Sequence, residues 1–202
     1  MTTETKTIPV DLKREYTLEE YTLLEDDDQN YELLEGKLVM TPAPADEHGR
    51  ICDELLTELK LFLRANKGIG AVWSHTGFNI GKKSNGKDNV PEPDLGFIIQ
   101  SRVPPVSSGY LPYPDLAIEV WSRTSDLADP SRLKKAREKL LMYLEAGTQI
   151  AWGINPIAQE IEVYQHRQTQ PIVILGLGDE LDGGEIIPGF KMRVAALFGQ
   201  AS

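Results

Sequence analysis

The chain has 202 residues, 41% of them hydrophobic and 26% charged, and its 31 acidic against 21 basic side chains give a formal net charge of −10. That length suits one sizeable domain with a substantial core. It contains no apolar run as long as a membrane span, and its one cysteine, Cys52, excludes an internal disulfide and offers no metal cluster.

The opening stretch, MTTETKTIPVDLKREY, lacks the apolar segment of a signal peptide, so a cytoplasmic protein is expected. Residues 1–15 read as a flexible segment. Thr17, with Glu20 three positions later, forms a capping box that predicts a short helix. NYELLEGKLVMTP reads as two strands turning at Glu35-Gly36. Over residues 47–66, Ile51, Leu55, Leu59 and Phe62 recur at helical spacing, and Gly68 supplies the stop. Within that helix Cys52 reads as core packing, and His48 as a polar contact at the helix start.

Strand-like pieces then dominate: GAVWSHTGFNI, PDLGFIIQ and PDLAIEVW. A second helix is expected from Asp129-Pro130, an N-cap and first-turn pair, to Gly147. QIAWGINP, EIEVYQH and PIVILG look like further strands, and FKMRVAALFG closes the chain. GLGDELDGGE reads as a turn rather than a phosphate loop, because no Lys-Ser/Thr follows its glycines. His75 and His166 are isolated. With no repeat or convincing linker, residues 1–202 read as one α/β domain.

The strand PDLAIEVW poses a chemical question. Its period of two puts Asp115, Ala117, Glu119 and Trp121 on one face and Leu116, Ile118 and Val120 on the other. A carboxylate inside an apolar run must be neutralised, paired or bound to a cation. Four strand residues span roughly 13 Å, so Asp115 and Glu119 cannot share one ion; Asp115 reads as a strand-opening residue. In VPEPDLGFIIQ, Asp94 opens another apolar strand, and Gly96 leaves space on its face. A neighbouring strand lies about 4.8 Å away, so Asp94 and Glu119 could converge on one divalent cation. The competing reading makes both ordinary strand-terminal acids.

Basic residues cluster in the second helix, at Arg132, Lys134, Lys135, Arg137 and Lys139, and again at Lys82, Lys83 and Lys87. A solvated face is the bland explanation, but an acidic body with two basic patches is compatible with a polyanionic ligand. At about 100° per residue, Leu133, Ala136, Leu140 and Leu144 form the helix's apolar face. Lys139 then lies on its flank beside Tyr143, while Lys135 points further into solvent.

Taken in order, YTLEEYTLLEDDDQNYELLEGKLVMTP, HGRICDELLTEL, PEPDLGFI, PDLAIEVWS, KLLMYLEAGTQIAWGINP and GGEIIPGFKMRV resemble the bacterial restriction-endonuclease-like family called Uma-two, of the PD-(D/E)XK nuclease superfamily. The resemblance covers nearly the whole chain. It implies a mixed central sheet flanked by helices, with additional antiparallel strands. It also implies a Mg²⁺-dependent endonuclease, with Mn²⁺ as a substitute, acting on DNA. Asp94 and Glu119 become metal ligands, and the resemblance offers Glu32 in YELLEG as an additional residue of the site. Trp121 stands where the superfamily usually has its lysine, and Lys139 takes that role from the helix, with Lys135 as the other candidate. Arg132, Lys134, Lys135, Lys82 and Lys83 would contact nucleic acid, and a homodimer would suit cleavage of two strands. Two other readings compete: an inactive nucleic-acid-binding protein that keeps the fold, and an acidic protein-interaction module.

Overall fold

Local chemistry sets the first elements. Thr17 accepts a hydrogen bond from the Glu20 N–H, and the Glu20 carboxylate accepts one from the Thr17 N–H, which closes the capping box of helix α1 (Leu18–Tyr21). Strands β1 (Tyr31–Leu34) and β2 (Lys37–Met40) form a hairpin. Its two turn residues, Glu35 and Gly36, both have positive φ, 51° and 76°, as a two-residue turn matching strand twist requires. In the computed structural model, residues 7–41, 46–83, 85–105, 109–121 and 130–200 are described. The described part of the N-terminal segment is anchored, because Ile8 bridges Leu24 and Glu15 bridges Lys37.

Helix α2 (Asp46–Ala65) buries Ile51, Cys52, Leu55 and Leu59. GAVWSHTGFNI does not continue as one strand. His75, at φ 47°, ends β3 (Gly70–Ser74), and the chain resumes as β4 (Phe78–Asn79). Short strands β5 (Gly81–Lys82) and β6 (Asp88–Asn89) precede β7 (Leu95–Ile99), β8 (Leu111–Pro112) and β9 (Leu116–Val120). Helix α3 (Pro130–Ala146) begins on the expected proline, whose expected cap Asp129 lies outside the described residues. It ends before Gly147, at φ 119°. Then come β10 (Ile150–Asn155), β11 (Glu160–Gln165), β12 (Val173–Leu175), β13 (Glu180–Asp182), β14 (Lys191–Arg193) and α4 (Val194–Leu197). The segment GLGDELDGGE, expected as a turn, contains β13, paired with β14.

The central sheet is mixed and six-stranded, in the order β12-β11-β10-β9-β7-β3. Within this sheet, among the described residues, only β9 and β10 pair in parallel, and α3 lies in the connection between them. The strand period of two divides the packing. On one face Leu95, Phe97, Leu116, Ile118 and Val120 pack with the apolar side of α2. On the other, Trp121 and Ala151 pack with Leu140 and Leu144 of α3. The space expected beside Gly96 is filled by the Phe78 ring, which would lie 2.3 Å from an added Cβ. Asp115, expected to open its strand, is buried and held by Arg102 at 2.6 Å and by the Ile99 N–H at 2.9 Å.

Candidate functional site

Strand register brings the two carboxylates together. In the antiparallel β7–β9 pair Leu95 faces Ile118, so one further step sets Asp94 across from Glu119. Asp94 Oδ2 accepts the Val120 N–H at 2.6 Å, and Asp94 Oδ1 is hydrogen-bonded to His48 Nε2 at 3.0 Å. Glu119 points to the α3 side, where the Tyr143 hydroxyl donates to Oε1 at 3.0 Å.

Lys139 reaches the same oxygen. Its Nζ lies 3.0 Å from Glu119 Oε1 and 2.7 Å from Glu32 Oε1, and it also donates to the Glu92 carbonyl at 3.1 Å. Glu32 Oε1 accepts the Glu92 N–H at 2.9 Å as well. Hairpin alternation explains why Glu32 is there: Leu33 and Leu38 are buried in a local apolar cluster, so Glu32 and its partner Val39 take the opposite face.

The charge balance is uneven, because Glu32, Asp94 and Glu119 surround one lysine. Burial pushes the Glu119 carboxyl up to about 8; Lys139 pulls against that shift, and Asp94 and Glu32 reinforce it. Burial would lower the Lys139 ammonium, but Glu119 and Glu32 outweigh it and raise the group above its ordinary value. Burial likewise opposes charge on His48, and the Asp94 hydrogen bond overrides it, raising the imidazole. The Glu92 carboxyl is raised by burial and by Glu32.

Glu32, Glu119 and Lys139 line a groove of about 1060 Å³ between the β1–β2 hairpin and α3. Arg132, Lys135 and Lys139, spaced three and four residues apart, run along its α3 wall, and Lys37 and Lys83 line the hairpin side. Lys135 lines the groove yet is exposed, further into solvent than the half-buried Lys139, as the helical phase implied. Lys83 pairs with Glu35 at 2.8 Å, and Lys82 stands 3.8 Å from Asp88. Lys134 is largely exposed, 3.8 Å from Glu138. Arg137 turns to the buried carboxylate of Glu162.

The sequence reading of His48 as a polar contact at the helix start and of Cys52 as core packing holds, since His48 bonds Asp94 and Cys52 is buried. The two are four residues apart, one helical turn, and so share a face of α2. Ligand atoms of His48, Cys52 and Asp94 all lie within 4.8 Å of one another. The spacing H-x₃-C was the available signal. Burial, together with the charges of Asp94 and Glu119, raises the Cys52 thiol well above its ordinary value, so without a cation it stays protonated.

The family model Uma2, described as "Putative restriction endonuclease", matches residues 18–195. Among solved structures the chain is similar to one titled as a putative nuclease belonging to DUF820 from Anabaena variabilis ATCC 29413. The two share 23% identity at a TM-score of 0.73, over 91% of this chain and 97% of the other. No curated protein matches the chain. Among the described residues no helix is long and apolar enough to cross a membrane.

Proposed function

Since the chain belongs to the Uma2 family of putative restriction endonucleases, we propose that it is a metal-dependent endonuclease that hydrolyses phosphodiester bonds in DNA, using Mg²⁺ or Mn²⁺ at Asp94 and Glu119. One observation carries this reading: Asp94 and Glu119 stand across from one another on adjacent strands, and Glu119 lines a groove with a lysine 3.0 Å from it.

The donor set fits a hard cation. Its ligand atoms are carboxylate oxygens, which suit Mg²⁺ and Mn²⁺ and leave room for water and substrate. The excess of acids over lysine also leaves negative charge that a divalent ion would neutralise. Such an ion, when bound, polarises the phosphate and lowers the pKa of an attacking water.

The chain's own residues do the rest. Lys139 stays charged and can orient the water or stabilise negative charge developing on the phosphate. Glu32 and the Glu92 carbonyl fix its position, and the Tyr143 hydroxyl and Val120 N–H fix the carboxylates. Arg132, Lys135 and Lys83 would hold the sugar-phosphate backbone along the groove without reading sequence. Lys134 and Lys82, further from the carboxylates, would add long-range attraction. A two-fold dimer would serve cleavage of both strands.

The test is nicking of supercoiled plasmid DNA in Mg²⁺ or Mn²⁺. Glu119→Gln and Asp94→Asn should each abolish cleavage while keeping the wild-type far-ultraviolet circular dichroism. Lys139→Ala should abolish cleavage yet keep most Mn²⁺ binding. Normal cutting by Lys139→Ala with none by Lys135→Ala would overturn the lysine assignment. Salt-sensitive DNA binding without cleavage in either metal would replace the nuclease with a binding protein.

A further inference from the structure

His48, Cys52 and Asp94 present an imidazole, a thiol and a carboxylate to one small volume on the α2 side of the sheet. From this juxtaposition we infer that they form a second cation site, selective for a borderline divalent ion such as Zn²⁺, in which Asp94 is the shared ligand.

The donor chemistry separates this site from the carboxylate pair. Sulfur and imidazole nitrogen suit Zn²⁺ and Co²⁺, whereas Mg²⁺ takes oxygen. Zinc binds nitrogen at about 2.0–2.1 Å, carboxylate oxygen at about 2.0–2.2 Å and sulfur at about 2.3 Å. At a tetrahedral angle, two such donors on one ion stand about 3.4–3.7 Å apart. The His48 Nε2 to Asp94 Oδ1 separation of 3.0 Å is already close to that value. The widest separation in the cluster, at most 4.8 Å, needs to close by only about 1 Å, which a side-chain torsion supplies.

Two further observations point the same way. The second ring nitrogen, His48 Nδ1, is buried without a hydrogen-bond partner among the described residues, and a polar atom left so is costly. A cation on the ring would either ligate this atom or shift the tautomer that the imidazole holds. Access is also present, because the side chains of His48 and Asp94 remain 13% and 17% exposed, while Cys52 closes the inner side.

Binding is coordination without redox change: the Cys52 S–H bond breaks, the sulfur pair goes to the cation and the proton leaves to solvent. Protein ligands fill three positions, and water takes the fourth. Because Asp94 serves both sites, Zn²⁺ here would withdraw it from the Glu119 pair and inhibit cleavage. That consequence rests on the proposed nuclease reading; the binding site does not.

The probe is Co²⁺ added anaerobically to the full chain, followed by its near-ultraviolet thiolate-to-metal charge-transfer band. One Co²⁺ per chain should give the band, and Zn²⁺ should displace it. Cys52→Ser should remove the band, and His48→Ala should weaken Zn²⁺ binding. Loss of an outer partner alone costs about 10–100-fold in affinity, so loss of this ligand should cost at least about 100-fold. Glu119→Gln should keep the band, which separates this site from the carboxylate pair. If His48→Ala fails to fold by circular dichroism, His48→Gln takes its place. No band with the folded wild-type protein, or an unchanged band in Cys52→Ser, overturns the inference. An inactive protein that still shows the band would sink the nuclease reading and leave this one standing.

Discussion

Replacing Lys139 with methionine keeps the length of the side chain and removes its charge. The ammonium lies 2.7 Å from Glu32 and 3.0 Å from Glu119. At an effective dielectric constant of about 20, each contact is a gross attraction of about 6 kcal/mol, most of it offset by desolvation. Breaking a buried pair from one side costs about 3–5 kcal/mol, because the other charge stays behind. Two features place this variant at the low end. The Lys139 side chain is 22% exposed, and Glu119, whose carboxyl is pushed up to about 8, can stay neutral at pH 7. A loss of about 3 kcal/mol in a chain of this size lowers Tm by roughly 6–12 °C. Thermal unfolding in EDTA at pH 7, followed by circular dichroism, measures it. Mn²⁺ should then raise Tm more in the variant than in the wild type, since a cation replaces the missing charge. A Tm within about 2 °C of wild type would mean that Lys139 does not hold these carboxylates together, and the argument for the site would fail with it.

The pH dependence has a definite sign. A carboxyl raised in the folded state contributes stability at low pH that is lost as pH rises through about 8. Metal-free Tm should therefore fall between about pH 5 and 8, and Glu119→Gln should flatten that slope; an equal slope in both proteins would assign the effect elsewhere. Mn²⁺ affinity should rise with pH over the same range, with proton release visible when calorimetry is repeated in buffers of different ionisation heat. Lys135→Ala should weaken DNA binding about equally across sequences and reduce the salt slope by about 1, which a titration at several salt concentrations would detect. Gly96→Ala should destabilise by about 1–3 kcal/mol through overpacking against Phe78, and wild-type stability by urea titration would contradict that packing.

Much of this arrangement could be read from the chain because its causes are local. Thr17 and Glu20 carry their capping geometry in their spacing, and Glu35-Gly36 fixes a hairpin by φ alone. Alternation in PDLAIEVW separates Glu119 from Leu116, Ile118 and Val120 without any knowledge of neighbours. The helical phase that put Lys139 beside Tyr143 works the same way. What the chain withheld depends on contacts distant in sequence. No local rule reveals that Phe78 fills the space beside Gly96, that Arg137 turns to Glu162, or that Lys83 is engaged by Glu35. The shared face of His48 and Cys52 was within reach of helical spacing, but their meeting with Asp94, more than forty residues away, is fixed only by the sheet.

The bond between Lys139 and Glu32 joins positions 107 apart in the chain, and Glu119 and the Glu92 carbonyl come from two further segments. Closing loops of this length costs entropy that is recovered only when the sheet and both helices are in place. The centre therefore has no partly built form that could work. A full-length chain that has not yet folded holds every necessary residue and none of the geometry. On the proposed reading, hydrolytic competence would in this sense be a property of the completed fold, silent until the protein that confines it exists.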